Sequence, residues 1–292
     1  MLLRCPPMSE DLCAIGGDQA RVTERMVAMD DQVRIRVLEW SPAGPEQAPP
    51  VIFVAGWVSV VEGWAPLLRV LVPTRKLWYL ETREKRSAEV PRRRLQVEHF
   101  TLPRFAADLV GVCRQLEIDT HQALVAGSSM GANTILEALK GDRLRARAAF
   151  LVGPNSTFAF PWWSFLLLHA PAASYHLLKY FVLWYLRHFR IDVEREPEQM
   201  RRYQRTLQAA HPLRLKLSAR AVAGYTVWAG LESITTPVAI AYAASDTLHV
   251  AQEVNRIVER IPRARAVTCP SNHYMHSAEV AEDMERVVNE MG

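Results

Sequence analysis

"ALVAGSSMGANTILEAL", residues 123–139, changes character twice along its length. Ala123 to Ala126 is a short apolar run of the kind that forms a buried strand, and Ala132 to Leu139 has helical composition. Between them stand Gly127, Ser128, Ser129 and Gly131. Small residues where a strand meets a helix mark a turn too tight for larger side chains. A serine at the apex of that turn presents its hydroxyl as a nucleophile, and Gly127-x-Ser129-x-Gly131 is the spacing such a turn requires. The spacing also arises by chance, so its meaning depends on the rest of the chain.

Working outward, the same type of short apolar strand recurs in "VIFVAGW" (51–57), "KLWYLET" (76–82), "AAFLVGP" (148–154) and "PVAIAYAAS" (237–245), with a shorter one in "ARAVTCP" (264–270). Residues 21–29 and 33–40 alternate apolar and polar around "MDDQ", which predicts an antiparallel hairpin. Helical patterns fall at 64–72, 103–117, 131–140, 250–260 and 277–290. Continuous apolar strands alternating with helices predict an α/β fold, a mostly parallel central sheet with helices on both faces.

The alternation breaks once, between Gly153 and Pro237, where about four helices are inserted. The expected organisation is a core of residues 1–154 and 229–292 with a helical cap, or lid, at 155–228. From Ala148 to Leu178 the chain carries no Asp, Glu, Lys or Arg, a length that raises the question of a membrane span. Pro154, Pro161 and Pro171, with Asn155, Ser156 and Thr157, interrupt it, so a lid over an apolar pocket is the preferred reading. The other reading is contact of 158–189 with a membrane surface or with a second copy, which leaves monomer and homodimer both open.

Composition sets the outer bounds. The 292 residues are 49% hydrophobic and 23% charged, with a net charge of +4 that comes from arginine in preference to lysine. The densest basic run, "PRRRLQ" at 91–96, lacks interleaved aromatics and any nucleic-acid motif, so no nucleic-acid partner is expected. Cys5, Cys13, Cys113 and Cys269 stand apart, with no metal-ligand spacing, and no metal or organic cofactor is called for. The start, "MLLRCPPMSEDLC", is too short and too charged to hold the apolar core of a signal peptide, so a cytoplasmic protein is expected.

A serine nucleophile needs a base and an acid from other strand ends. Asp246 follows the strand at 237–245 in "ASDTLH", and His273 follows the last strand in "CPSNHYMHS". Asp246 has rivals in Glu232 and Asp192, or a plain role as a helix cap; His273 has rivals in His276 and His249; Ser128 stands beside Ser129. The order Ser…Asp…His resembles that of the α/β-hydrolase superfamily, and the likeness runs over nearly the whole chain. "VIFVAGW" is similar to its strand and oxyanion loop, "AGSSMGAN" to its elbow, "ASDTLH" to its acid loop and "SNHYMH" to its histidine loop. "TLPRFAADLVGVCRQLEID" resembles the helix that precedes the elbow strand in the single-domain, helical-cap members.

By that resemblance Ser129 is the nucleophile, His273 the base, Asp246 the acid, and the backbone amides of Trp57 and Met130 the oxyanion hole. It implies a serine hydrolase, first of all a carboxylesterase for small apolar acyl or aryl esters. Thioesterase, lactonase, amidase and carbon–carbon bond hydrolase share the triad, and a peripheral lipid hydrolase or a non-catalytic binding protein would share the fold. Gly56 and the lid residues Trp162, Trp163, Phe165, Leu166 and Leu167, with aromatics around Tyr180 and Trp184, are the expected substrate-binding residues.

Two departures stand out. Where the family often has His-Gly in the oxyanion loop, this chain has Ala55-Gly56. Where many members carry a glycine-rich turn after the strand at 76–82, it has "ETREKRSAEV", and Glu81, Arg83 and Glu84 are expected to form buried ion pairs.

Overall fold

A computed structural model describes residues 10–57, 59–158, 160, 171, 174–189, 193, 197–243 and 251–291. The predicted hairpin forms as β1 (Ala20–Ala28) and β2 (Arg34–Pro42), antiparallel with Val27 opposite Ile35. Six further strands follow: β3 (Val51–Val54), β4 (Leu77–Leu80), β5 (Leu124–Ser128), β6 (Ala148–Val152), β7 (Val238–Ala243) and β8 (Ala264–Cys269). They join in one sheet of order β1-β2-β4-β3-β5-β6-β7-β8, parallel from β4 onward.

Successive side chains of a strand point to opposite faces, and here both faces are covered. Val51 and Phe53 of β3 join one apolar layer with Trp40, Trp64, Leu68, Met284 and Val288; Ile52 and Val54 join the other with Leu109, Ile135, Leu136 and Ile257. The first layer lies under α1 (Glu10–Gly16), α2 (Ala65–Leu71) and α9 (Val280–Met291). The second lies under α3 (Leu102–Gln115), α4 (Met130–Leu139) and α8 (Ala251–Arg260). Strand order reverses between β3 and β5, which makes their carboxyl ends the switch point where ligands bind in such sheets.

Helix α1 lies outside the sequence expectation; it buries Leu12 and Ile15 in the layer that holds Trp40. The terminal helix starts at Val280, not at 277, because Tyr274–His276 form a separate 3₁₀ turn. Between β6 and β7 the described residues contain α5 (Tyr175–Phe189), α6 (Pro197–Ala209) and α7 (Pro212–Val222). No helix of the described residues is long and apolar enough to cross a membrane.

Helix α7 is fastened to the sheet end. Arg214 donates to the carbonyls of Lys85 (2.8 Å) and Ala88 (2.6 Å), and the Trp57 indole donates to Ser218 Oγ (2.9 Å). Beneath it lies a third apolar cluster of Phe100, Leu102, Phe105, Met130, Leu217 and Val222.

The charged loop after β4 forms the expected ion pairs at Arg83 and Glu81, with partners from outside the loop. Arg83 is fully buried; it donates to Asp108 of α3 (Nε to Oδ2, 2.6 Å) and to Asp31 of the hairpin turn (2.9 Å). Glu81 faces Arg36 at 3.4 Å, and Glu84 accepts from the Thr82 hydroxyl at 2.8 Å. Burial works to raise both aspartates, but only at Asp31 do the Arg83 hydrogen bond and charge outweigh it, so Asp31 is lowered and Asp108 raised. No residue from 81 to 90 has a positive φ, so this path needs no glycine.

Candidate active site

The sharp turn read from residues 127–131 is present at the carboxyl end of β5. Ser129 has φ 49° and ψ −121°, a conformation that costs a non-glycine residue about 1–3 kcal/mol and persists only where its surroundings enforce it. Here its N–H donates to Val152 O of β6 (2.8 Å) and its carbonyl accepts from Asn133 N (3.0 Å). The flanking glycines are required by close approach. A Cβ on Gly131 would lie 2.2 Å from Val54 O, and one on Gly127 would lie 2.7 Å from the same atom.

Other predicted residues meet at this turn. Gly56 lies against it: a Cβ there would stand 3.0 Å from Ser128 Oγ and 3.6 Å from Ser129 Cβ. Met130 opens α4, so its N–H lies in the first turn, where helix amides have no intrahelical acceptor. Trp57 follows Gly56 and turns its indole toward α7, its ring edge-on to Phe160 at 6.1 Å. Ser128 is buried and Ser129 half-buried, which separates the two serines by access.

The candidate base and acid are placed less fully. His273 sits just past β8, at the start of the 3₁₀ turn, and is exposed. His276 does not take the solvent-facing or helix-capping place expected of it: its ring stacks on buried Trp64 at 4.4 Å, and Nδ1 lies 3.0 Å from Asn272 O. Asp246, Asp192 and His249 lie outside the described residues, as do Trp162, Trp163, Phe165, Leu166 and Leu167. Glu232 is ruled out as the acid: it lies in the turn Leu231–Ser233 that leads into the amino end of β7, opposite the end that carries Ser129. Tyr180 and Trp184 face solvent, at 64% and 49% exposure.

Two asparagines escaped the sequence reading. Asn155, past the end of β6, points Nδ2 at Ser129 Oγ (3.3 Å). Asn133, fully buried in α4, fixes that loop by donating to Asn155 O (2.7 Å) and accepting from Asn155 N (2.9 Å). The readable signal was a polar side chain in the first turn of α4, four residues after the serine. Phe158 and Phe160, packed against the third apolar cluster, are likewise additions to the expected pocket.

Known proteins can now be set beside this geometry. Residues 86–280, more than half of the chain, match the family described as serine aminopeptidase, S33. The chain belongs to that family. It is a serine hydrolase of the α/β-hydrolase superfamily, with the strand order and strand–turn–helix elbow of that fold. No curated protein matches the sequence significantly.

Among solved structures, an esterase from Thermogutta terrifontis is similar with TM-score 0.73 and 15% identity, over 93% of this chain and 99% of that one. The enol-lactonase of Burkholderia xenovorans LB400 gives 0.67 and 18%, over 93% and 96%. A bromoperoxidase of Bacillus anthracis gives 0.70 and 16%, over 92% and 99%. Three differently described proteins match equally well, so at such identities the likeness carries the fold and not the substrate.

Proposed function

We propose that this hydrolase is a carboxylesterase for apolar acyl or aryl esters, acting through Ser129, His273 and Asp246. The observation that carries the reading is the strained Ser129 turn with Gly56 packed against it, a conformation with no purpose in a plain strand–helix connection.

In this scheme Ser129 Oγ attacks the ester carbonyl carbon while His273 takes the hydroxyl proton and Asp246 orients and balances the imidazolium. The amide N–H groups of Met130 and Trp57 hold the oxyanion, in a site whose dipoles need no rearrangement as charge develops. Collapse expels the alcohol, protonated by His273, and leaves an acyl-serine. Water, deprotonated by the same histidine, then releases the acid and restores Ser129. The acyl group would rest against Trp57, Phe158 and Phe160, the partly buried aromatics that pack on the cluster of Met130, Phe100, Phe105 and Leu217. The chain's own residues suffice for these steps, so the reading includes no metal or organic cofactor.

One observation favours a second reading, a binding protein on the hydrolase fold. Among the described residues the partner of Ser129 Oγ is Asn155 and not a histidine. Catalytic hydrogen bonds often tighten only with substrate bound, so esterase remains the conclusion.

Turnover of a p-nitrophenyl ester series, with thioesters and lactones as comparators, tests the choice. Esters should be preferred, with kcat/KM rising from short to medium acyl chains. The rate should fall on acidification, because only a neutral imidazole accepts the serine proton. His273→Ala should abolish turnover, and His276→Ala should keep both turnover and the acid limb. Faster turnover of thioesters or lactones would reassign the substrate; no turnover of any of them would favour the binding protein.

A further inference from the structure

Of the five large apolar side chains that are well exposed among the described residues, four lie on α5: Tyr180 (64%), Phe181 (43%) and Trp184 (49%) through its middle and Phe189 (64%) at its carboxyl end. Tyr180, Trp184 and His188 recur at helical spacing and form one line along the helix. Trp184 is its centre, with ring centroids 5.8 Å from Phe181, 5.2 Å from His188 and 5.6 Å from Phe189. Basic groups border the line. Lys179 Nζ lies 5.2 Å over the Tyr180 ring, and Arg187 is exposed one turn beyond Trp184.

We propose that this face of α5 docks on an anionic lipid bilayer, with the helix lying in the plane of the interface. The combination of Trp and Tyr with flanking Lys and Arg fits the headgroup level, where amphipathic rings sit half in hydrocarbon and basic side chains reach lipid phosphates. The charge is one-sided: from Ala148 to Ile191 the chain carries Lys179, Arg187 and Arg190 but no Asp or Glu, and Asp192, Glu194 and Glu196 begin only past the helix. That pattern disfavours a second copy. A twofold contact through α5 would bring Lys179 and Arg187 toward the same two cations of the second copy, with no carboxylate on the helix to pair with them. An anionic surface supplies the missing charge.

Flotation with vesicles tests this without relying on the esterase reading, since binding is read apart from hydrolysis. The protein should float with equimolar phosphatidylglycerol and phosphatidylcholine vesicles, and much less with phosphatidylcholine alone. Tyr180→Ser/Trp184→Ser/Phe189→Ser and, separately, Lys179→Gln/Arg187→Gln should each weaken binding about tenfold or more. Both variants should keep the wild-type Tm and far-ultraviolet circular dichroism, which excludes misfolding as the cause. The proposal is overturned if the wild type floats with neither vesicle, if it floats equally with both, or if both variants bind as it does. A dimer that the aromatic variant turns into a monomer would give the face to a second copy instead.

Discussion

Ser129→Ala is expected to lose roughly 10³-fold or more in kcat, with KM changed little. Alanine has the same backbone limits as serine, so the variant keeps the strained turn at φ 49° and loses only the hydroxyl. The Met130 and Trp57 amides proposed to hold the oxyanion and the apolar cluster stay in place, so substrate should still bind. What disappears is the covalent route, and with it the splitting of one hard step into two easier ones. Ser128→Ala is the control. Its side chain is buried at the end of β5, so its loss should cost little turnover. Steady-state kinetics on the best p-nitrophenyl ester decides between them. A dead Ser128→Ala beside an active Ser129→Ala would reverse the assignment.

The second large effect concerns stability. Arg83→Leu should cost about 3–5 kcal/mol, because it leaves the Asp31 and Asp108 carboxylates buried without their cation. For a chain of this size that corresponds to roughly 10 °C in Tm. In the wild type Asp31 is held below its ordinary value, so its contribution is present above that value and fades as the pH falls through the lowered one. Removing Arg83 takes away the strongest influence that opposes burial, leaving only Arg104 at both carboxyls and the Val33 amide at Asp31, so both carboxyls move upward. The folded variant then binds protons more readily than the folded wild type, and its deficit against the wild type should shrink as the solution is made mildly acidic. Thermal melts of both proteins across that range check the sign. A deficit that grows on acidification would mean that Arg83 is not what keeps these carboxylates ionised.

Much of the architecture could be read from residue order. Strands β3 to β7 are short apolar runs closed by turn residues, and the elbow announced itself because only Gly127 and Gly131 fit so close to Val54. Local pattern failed where tertiary contact decides. Helix α1 has only seven residues and is held by Leu12 and Ile15 on the Trp40 layer, a contact invisible in sequence. The helical pattern reads from 277, yet Ser271 Oγ accepts from Tyr274 N, the chain closes a 3₁₀ turn first and α9 begins at Val280. Asn155 stands far from Ser129 in the chain and reaches it only because β6 lies beside β5. Tyr180 and Trp184 show the opposite failure: aromatic residues imply a pocket by composition, but burial depends on which face of α5 they occupy.

The most direct measurement is labelling with a fluorophosphonate, followed by mass spectrometry of the digested protein. Phosphonylation needs a serine whose proton is removed and whose adduct is held by oxyanion donors, so it reports the assembled site and not the fold alone. One adduct per chain, on the peptide that contains Ser129, is the predicted result. An intact protein without adduct, or an adduct on any other serine, would contradict it.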